Sequence, residues 1–258
     1  MNHSLRRIVS LAASALVLSG AASVAQAAPI YWTDWAAGDL DTSLPGFKAQ
    51  GTITTQTALV TVTYTNANGV ILYQTGAAGE TDYYQNNRNG RNPATSPYTS
   101  SAVDNIPTGT DIIELGFAGM QTLQFSQAIA NPVFSYVSLN GNGYAFDQDF
   151  EILSFGDGSA SNDCGYWGCG TSSKNIVAKA GGGFEYQLIG TGEPHGTLRF
   201  LGAFDMVSWR SLTSENWNGF TVGVQGTAAE VFQTPEPGSL ALIGLALAGL
   251  GLSRRRRS

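Results

Sequence analysis

Histidine, cysteine and basic residues are scarce in this chain of 258 residues, and each scarcity narrows the functions it can have. The chain has 2 His. One of them, His3, precedes the body, so a Ser-His-Asp triad would have to use His195 as its base. The turn-like sequence around His195 contains no nucleophile elbow. We therefore interpret His195 as a surface-turn histidine and predict that the protein is not an enzyme.

Basic residues are concentrated at the two ends. Of the 13 Lys and Arg residues, two lie near the N-terminus and four close the chain, so that seven basic and 19 acidic residues lie between them, with a net charge of about −12. Nucleic-acid binding depends on Lys and Arg that neutralise phosphates, so this composition argues against a nucleic-acid partner. An acidic surface is compatible with solubility outside the cell and with divalent cations.

Helical periodicity is also missing outside the two ends. Short runs rich in Thr, Val, Ile and aromatic residues, separated by Gly, Asn and Asp, predict an all-β fold. We expect an antiparallel β-sandwich with a jelly-roll-like arrangement. A long polar loop at about 75–107 interrupts the pattern. The predicted strands span residues 51–64, 70–74, 112–117, 122–126, 133–139, 144–146, 150–154, 184–189, 197–204, 206–209 and 220–224.

The N-terminus has the pattern of a secretory signal peptide. Arg6 and Arg7 precede an apolar stretch over residues 8–20, and Ala25-Gln26-Ala27 supplies a small-residue cleavage site. We predict an N-terminal signal helix over residues 1–27, removed by signal peptidase after Ala27.

The C-terminus has an uncharged apolar run over residues 238–253. At the helical rise per residue this run spans about 24 Å, less than the roughly 30 Å of a bilayer core. We predict a transmembrane-like helix that inserts transiently in the inner membrane. Arg254, Arg255, Arg256 and Arg257 would stay on the cytoplasmic side, because clustered basic residues resist translocation.

Pro235, Glu236 and Pro237 precede that run, and the three parts together resemble the PEP-CTERM sorting signal of Gram-negative bacteria that make exopolysaccharide. The resemblance implies that an exosortase cuts near Pro-Glu-Pro and releases the protein to the cell surface or extracellular matrix. The chain then divides into a signal peptide (1–27), a secreted β-sandwich (28–233) and a sorting signal (234–258).

A second, looser resemblance spans about residues 110–226. The sequences at 123–139, 196–202 and 216–223 are similar to a β-sandwich ectodomain that recurs among PEP-CTERM proteins. This resemblance implies a fold and a surface location, without an established activity.

The chain's 2 Cys residues, Cys164 and Cys169, enclose four residues. In an oxidising compartment so close a pair predicts a disulfide, because a zinc site usually needs more protein ligands. Tyr166 and Trp167 lie inside this loop, where rigid exposed rings would stack on sugars. The alternative is that Trp167 folds back and plugs the sandwich edge. Trp209 and Trp217 are predicted core residues.

Acidic residues beside glycine suggest two further kinds of site. Asn140, Asp147, Asp149 and Asp157 supply oxygen ligands for a calcium site on flexible loops, although Asx-turns alone explain the pattern. Paired carboxylates for glycoside hydrolysis could come from four acids that stand close in sequence or alternate along a strand, namely Asp147, Asp149, Glu151 and Glu185.

From these features we predict an exported, exosortase-sorted protein with a non-catalytic structural or adhesive β-sandwich. One alternative is a carbohydrate-binding module of the exopolysaccharide matrix. Another is an extracellular glycoside hydrolase, which would need two suitably spaced carboxylates.

Overall fold

Two antiparallel β-sheets form the fold in a computed structural model that describes residues 29–36, 46–232 and 247. The all-β prediction is confirmed, and a short helix, α1, spans Ala228–Val231. The strands in chain order are β1 Tyr31–Trp32, β2 Asp34–Trp35, β3 Phe47–Thr54, β4 Leu59–Asn66, β5 Leu72–Gln74, β6 Ile112–Leu115, β7 Gly119–Ala130, β8 Val133–Val137, β9 Gly143–Phe146, β10 Phe150–Phe155, β11 Gly170–Ala178, β12 Phe184–Gly192, β13 Gly196–Phe200, β14 Ala203–Ser211, β15 Asn218–Val224 and β16 Gly226–Thr227.

The strands are divided between a 7-stranded and a 9-stranded sheet. The first has the order β10-β13-β8-β15-β6-β5, with β1 added beside β15. The second has the order β11-β12-β9-β14-β7-β4-β3-β2, with β16 added beside β7. The jelly-roll-like arrangement remains a prediction.

The main core lies between the two sheets. Successive side chains of a strand point to opposite faces, so Phe134 and Tyr136 on β8 face the second sheet. Phe134 lies 5.3 Å from Trp209 of the second sheet and stacks on Phe220 of its own sheet at 4.8 Å, measured between ring centroids. Trp209 is a buried core residue, as predicted from its strand context.

The excursion predicted at about 75–107 covers the outer face of the first sheet. Because residues alternate along β8, Val133 and Val137 point away from the main core. Val137 packs against Tyr84 and Tyr98 of the excursion, and Val133 packs in a separate cluster with Val103. The polar composition of this segment therefore hides a small hydrophobic core.

Three details of the predicted strands are wrong. The run at 51–64 is divided between β3 and β4 by a turn in which the Thr55 backbone N–H donates to the Ala58 carbonyl at 2.9 Å. The Asn66-Ala-Asn-Gly69 sequence predicts a hairpin turn, but this turn connects the two sheets instead, since β4 and β5 pair with different strands. Strand β11 was missed because it is polar and largely exposed.

The predicted signal helix, Ala27 and the sorting residues lie outside the described residues, as does the predicted transmembrane-like helix except for Leu247. Among the residues that are described, no helix is long and apolar enough to cross a membrane. The domain boundaries after residues 27 and 233 stay predictions.

Candidate functional site

A cleft of about 580 Å³ opens at one end of the two sheets, where four connections converge. The β8–β9 connection supplies two polar residues, the disulfide loop supplies Trp167, the β12–β13 connection supplies Glu193, and the β14–β15 connection supplies the rest. The lining residues are Ser138, Asn140, Trp167, Glu193, Ser214, Glu215, Asn216 and Trp217.

The disulfide loop holds Trp167 at the cleft. Cys164 and Cys169 are disulfide-bonded, as predicted, with their Cα atoms 4.4 Å apart. Between them, Gly165 and Gly168 exchange backbone hydrogen bonds of 3.0 and 3.3 Å. This tight turn leaves Trp167 at its tip with 42% of its surface exposed.

His195 packs against the disulfide loop. Its ring is fully buried, so its interpretation as a surface-turn histidine is wrong. Nδ1 donates to the Glu193 carbonyl at 2.7 Å, and Nε2 accepts from the Trp167 backbone N–H at 3.4 Å. Burial lowers the pKa of His195 to about 4, so the ring is neutral at pH 7. Gly165 is required above it, since a Cβ there would lie 2.1 Å from the ring.

Four aromatic rings pack together at the cleft wall. Tyr83, from the excursion, lies 5.0 Å from Tyr166, 6.2 Å from Trp167 and 4.8 Å from Trp217 between centroids. The two indoles meet at 70° with centroids 5.7 Å apart, so they form a corner. The Arg88 guanidinium carbon lies 4.6 Å from both the Tyr166 and the Trp167 centroids.

Two carboxyl groups line the same cleft and share Asn140. The Asn140 side-chain amide donates to Glu193 at 2.6 Å, and its backbone N–H donates to Glu215 at 3.2 Å. Ser138 also donates to Glu193. Burial raises the pKa of Glu215 to about 7, and the charge of Glu193 adds to this rise.

A third carboxyl group, Glu114 on β6, lies behind the cleft wall. Its side chain is almost fully buried, and it accepts a 2.6 Å hydrogen bond from the Trp217 indole N–H. Burial raises the pKa of Glu114 to about 7, although this hydrogen bond opposes the rise. The bond fixes Trp217 as a cleft wall, whereas the sequence predicted it as a core residue.

The residues proposed for calcium have other partners in the structure. Asp147 pairs with Lys179, and Asp149 pairs with Lys174. Asp157 accepts from the Ser159 backbone N–H at 2.9 Å, and Asn140 belongs to the cleft. Among the described residues, no three His, Cys, Asp or Glu side chains form a group that could hold a metal ion.

The four acids considered for hydrolysis each contact a basic residue. Glu151 lies 2.8 Å from Arg199 and Glu185 lies 3.0 Å from Arg210, in addition to the two lysine pairs of Asp147 and Asp149. The carboxyl groups that the fold does bring together, Glu193 and Glu215, were not singled out from the sequence. They come from different loops and share Asn140 as a hydrogen-bond partner. Because the loops are far apart in sequence, no local sequence pattern predicts that the two carboxyl groups come together.

The described residues define an all-β protein of two antiparallel sheets with an aromatic and carboxylate cleft at one end. A family model described as the PEP-CTERM protein-sorting motif matches residues 233–257. The chain is therefore a PEP-CTERM sorting-signal protein, as its C-terminal residues predicted, and the motif implies exosortase processing and export to the cell surface in Gram-negative bacteria. No curated protein and no solved structure matches the chain.

Proposed function

We propose that this exported protein is held at the cell surface or in the exopolysaccharide matrix, where its two-sheet body binds carbohydrate without catalysing a reaction. In this proposal the protein is adhesive, and the cleft between Trp167 and Trp217 is its binding site. The observation that carries the proposal is the corner formed by two indoles in an open cleft lined by polar groups.

The indole corner suits a sugar because pyranose rings have apolar faces, and ligand sites pair aromatic walls with a few oriented polar groups. Trp167 is 42% exposed, although Arg88 and Tyr83 contact its ring. The alternative in which Trp167 folds back and plugs the sandwich edge therefore accounts for only the buried part of its ring. Ser214 and Asn216 lie beside the indoles and offer hydroxyl and amide groups to sugar hydroxyls.

Binding to the producing organism's exopolysaccharide tests the proposal. We expect Trp167→Ala to weaken binding about 30-fold, the effect of losing about 2 kcal/mol at an aromatic hot spot. Phe184→Ala is the matched control, because Phe184 is 54% exposed at the far end of β12 from the cleft. Equal binding by the wild type and Trp167→Ala, at unchanged thermal stability, would show that the cleft is not the binding site.

An extracellular glycoside hydrolase is the second candidate, and the joint contact of Glu193 and Glu215 with Asn140 favours it. Glycoside hydrolysis needs two carboxyl groups, one of which has a raised pKa and donates a proton. Incubation of the polysaccharide with the protein should release no new reducing ends. Release that disappears in Glu215→Gln would replace the binding proposal with hydrolysis.

Exosortase processing is tested by mass spectrometry of the protein recovered from the cell surface. We expect a C-terminus near Pro235–Pro237 and an N-terminus at Ala28. Surface-exposed protein that retains Arg254–Arg257 would contradict the sorting step.

A further inference from the structure

We propose that the ligand of the cleft is a cationic polysaccharide whose protonated amino sugars bind between the indole corner and the carboxylates of Glu193 and Glu215. This inference rests on the carbohydrate-binding function proposed above and names the substrate class. Four observations on the described residues support it: the sign of the cleft's charges, its indole walls, a guanidinium already packed on one of the two indoles, and a buried amide beside Glu215.

The charge of the cleft has one sign. Glu193 and Glu215 line it, and none of the lining residues among the described part of the chain is Lys or Arg. The surrounding body carries about −12 overall, so the long-range field also attracts cations and repels an acidic polymer. Arg88 is the basic residue beside the cleft wall, and its guanidinium lies over Tyr166 and Trp167.

The aromatic wall has the electronic character that binds cations. The face of an indole attracts ammonium and guanidinium groups, most strongly where water is partly removed. Arg88 demonstrates this property within the chain, because its guanidinium carbon is 4.6 Å from two ring centroids of this cluster. A protonated amine at the Trp167–Trp217 corner would make the same kind of contact on the cleft side.

Glu215 is arranged to become charged when a cation arrives. Asn142 is 4% exposed, and its amide nitrogen has no hydrogen-bond partner in the described structure. This amide lies close enough to Glu215 to favour the ionised carboxylate, while burial favours the neutral acid. A cation in the cleft opposes the effect of burial, and Asn142 then supplies a donor to the carboxylate.

Three tetrasaccharides with the same β-1,4 backbone separate charge from shape. We expect the glucosamine tetramer to bind about tenfold more tightly at pH 6.5 than its N-acetylated form or cellotetraose, as measured by calorimetry. The preference should fall as salt is raised from about 20 to 300 mM, because salt screens ionic attraction. Equal binding of all three tetramers would overturn the cationic ligand but leave the binding function intact.

Two variants with the same change in charge test whether the preference for the glucosamine tetramer arises in the cleft. Glu215→Gln should reduce the ratio of glucosamine-tetramer affinity to cellotetraose affinity about fivefold or more, whatever its effect on the neutral tetramers themselves. Asp205→Asn should keep the preference, because Asp205 lies at the start of β14 and the cleft lies beyond its end. If both variants lose it equally, the overall charge is responsible and the site assignment is wrong.

A proton measurement gives an independent readout. At about pH 5.5 the amines are already protonated and Glu215 is still mostly neutral, so glucosamine binding there should release protons as Glu215 ionises, which appears as a buffer-dependent heat that is absent in Glu215→Gln. Release that persists in Glu215→Gln would contradict the role of this residue. If none of the tetramers binds and exopolysaccharide also fails to bind, the proposed function itself is wrong, a different outcome from loss of the cationic preference alone.

Discussion

Two hydrophobic cores of this protein are built in different ways. The inter-sheet core, which includes Phe134, Trp209 and Phe220, is formed by strands whose alternating residues face each other. The excursion core consists of Tyr84, Tyr98, Ile106, Ile112 and Val137, and much of it comes from a segment without long strands.

Side-chain hydrogen bonds replace strand pairing in the excursion. Asn86 donates to the Asp163 carboxylate at 2.9 Å and to the Thr95 hydroxyl at 3.2 Å, and it also accepts from the Asn92 backbone N–H. Arg91 forms two 2.8 Å hydrogen bonds with Asp82. The less regular core therefore supports the cleft, because Tyr83 extends from the excursion into the aromatic wall.

The largest expected effect is damage to the inter-sheet core. Phe134→Ala removes a fully buried ring that packs against Tyr144, Phe146, Trp209 and Phe220. We expect a loss of about 3–5 kcal/mol in the free energy of unfolding, measured with denaturant. Phe184→Ala removes the same ring at an exposed position and should cost less than about 1 kcal/mol. Equal losses would contradict the assignment of the core.

The second effect concerns Glu114, which lies where the first sheet meets Trp217. Its folded pKa of about 7 exceeds the ordinary value of 4.5, so its contribution to stability is full below pH 4.5 and is lost as pH rises through 7. Glu114→Gln keeps an acceptor for Trp217 and removes this loss. We expect the variant to gain about 2–3 kcal/mol relative to wild type between pH 4.5 and 8.

Thermal or denaturant unfolding at several pH values measures that gain. Asp111, Glu215 and His195 also have shifted pKa values, so the difference between variant and wild type isolates Glu114. If the difference in unfolding free energy between the variant and the wild type does not change with pH, Glu114 ionises as readily in the folded protein as in the unfolded chain, contrary to its burial.

The smallest effect is expected in the excursion. Asn86→Ala removes several hydrogen bonds from a residue that is only 4% exposed, and we expect a loss of about 1–2 kcal/mol. Hydrogen exchange should accelerate in residues 82–106 and remain unchanged in β7 and β14. Uniform acceleration across both sheets would show that the two cores unfold as one unit, which would end the distinction between them.

The sequence predicts the inter-sheet core better than the cleft for a physical reason. Alternation in β4 and the strand context of Trp209 are local signals, so the all-β class and the core position of Trp209 follow from them. The disulfide is also local, since its cysteines are close in sequence. Trp217, Glu193 and Glu215 meet because loops from several strands converge, and no local pattern records that convergence.

The excursion illustrates the same limit. Its asparagines and prolines predict a polar loop, yet Tyr84 and Tyr98 are fully buried against the outer face of the first sheet. Those rings are buried because no other element packs on that face of β8 in the described structure. Which face stays open is determined by the topology of the whole domain.

The indole N–H signals of the protein's 5 Trp residues test the central claim, binding at the cleft, most directly. In a nitrogen-15 NMR titration with exopolysaccharide, we predict that the Trp167 and Trp217 signals shift with a common saturation curve. The signals of Trp32, Trp35 and Trp209 should stay in place, because these three rings are buried away from the cleft. Saturable binding that leaves Trp167 and Trp217 unshifted would contradict the account.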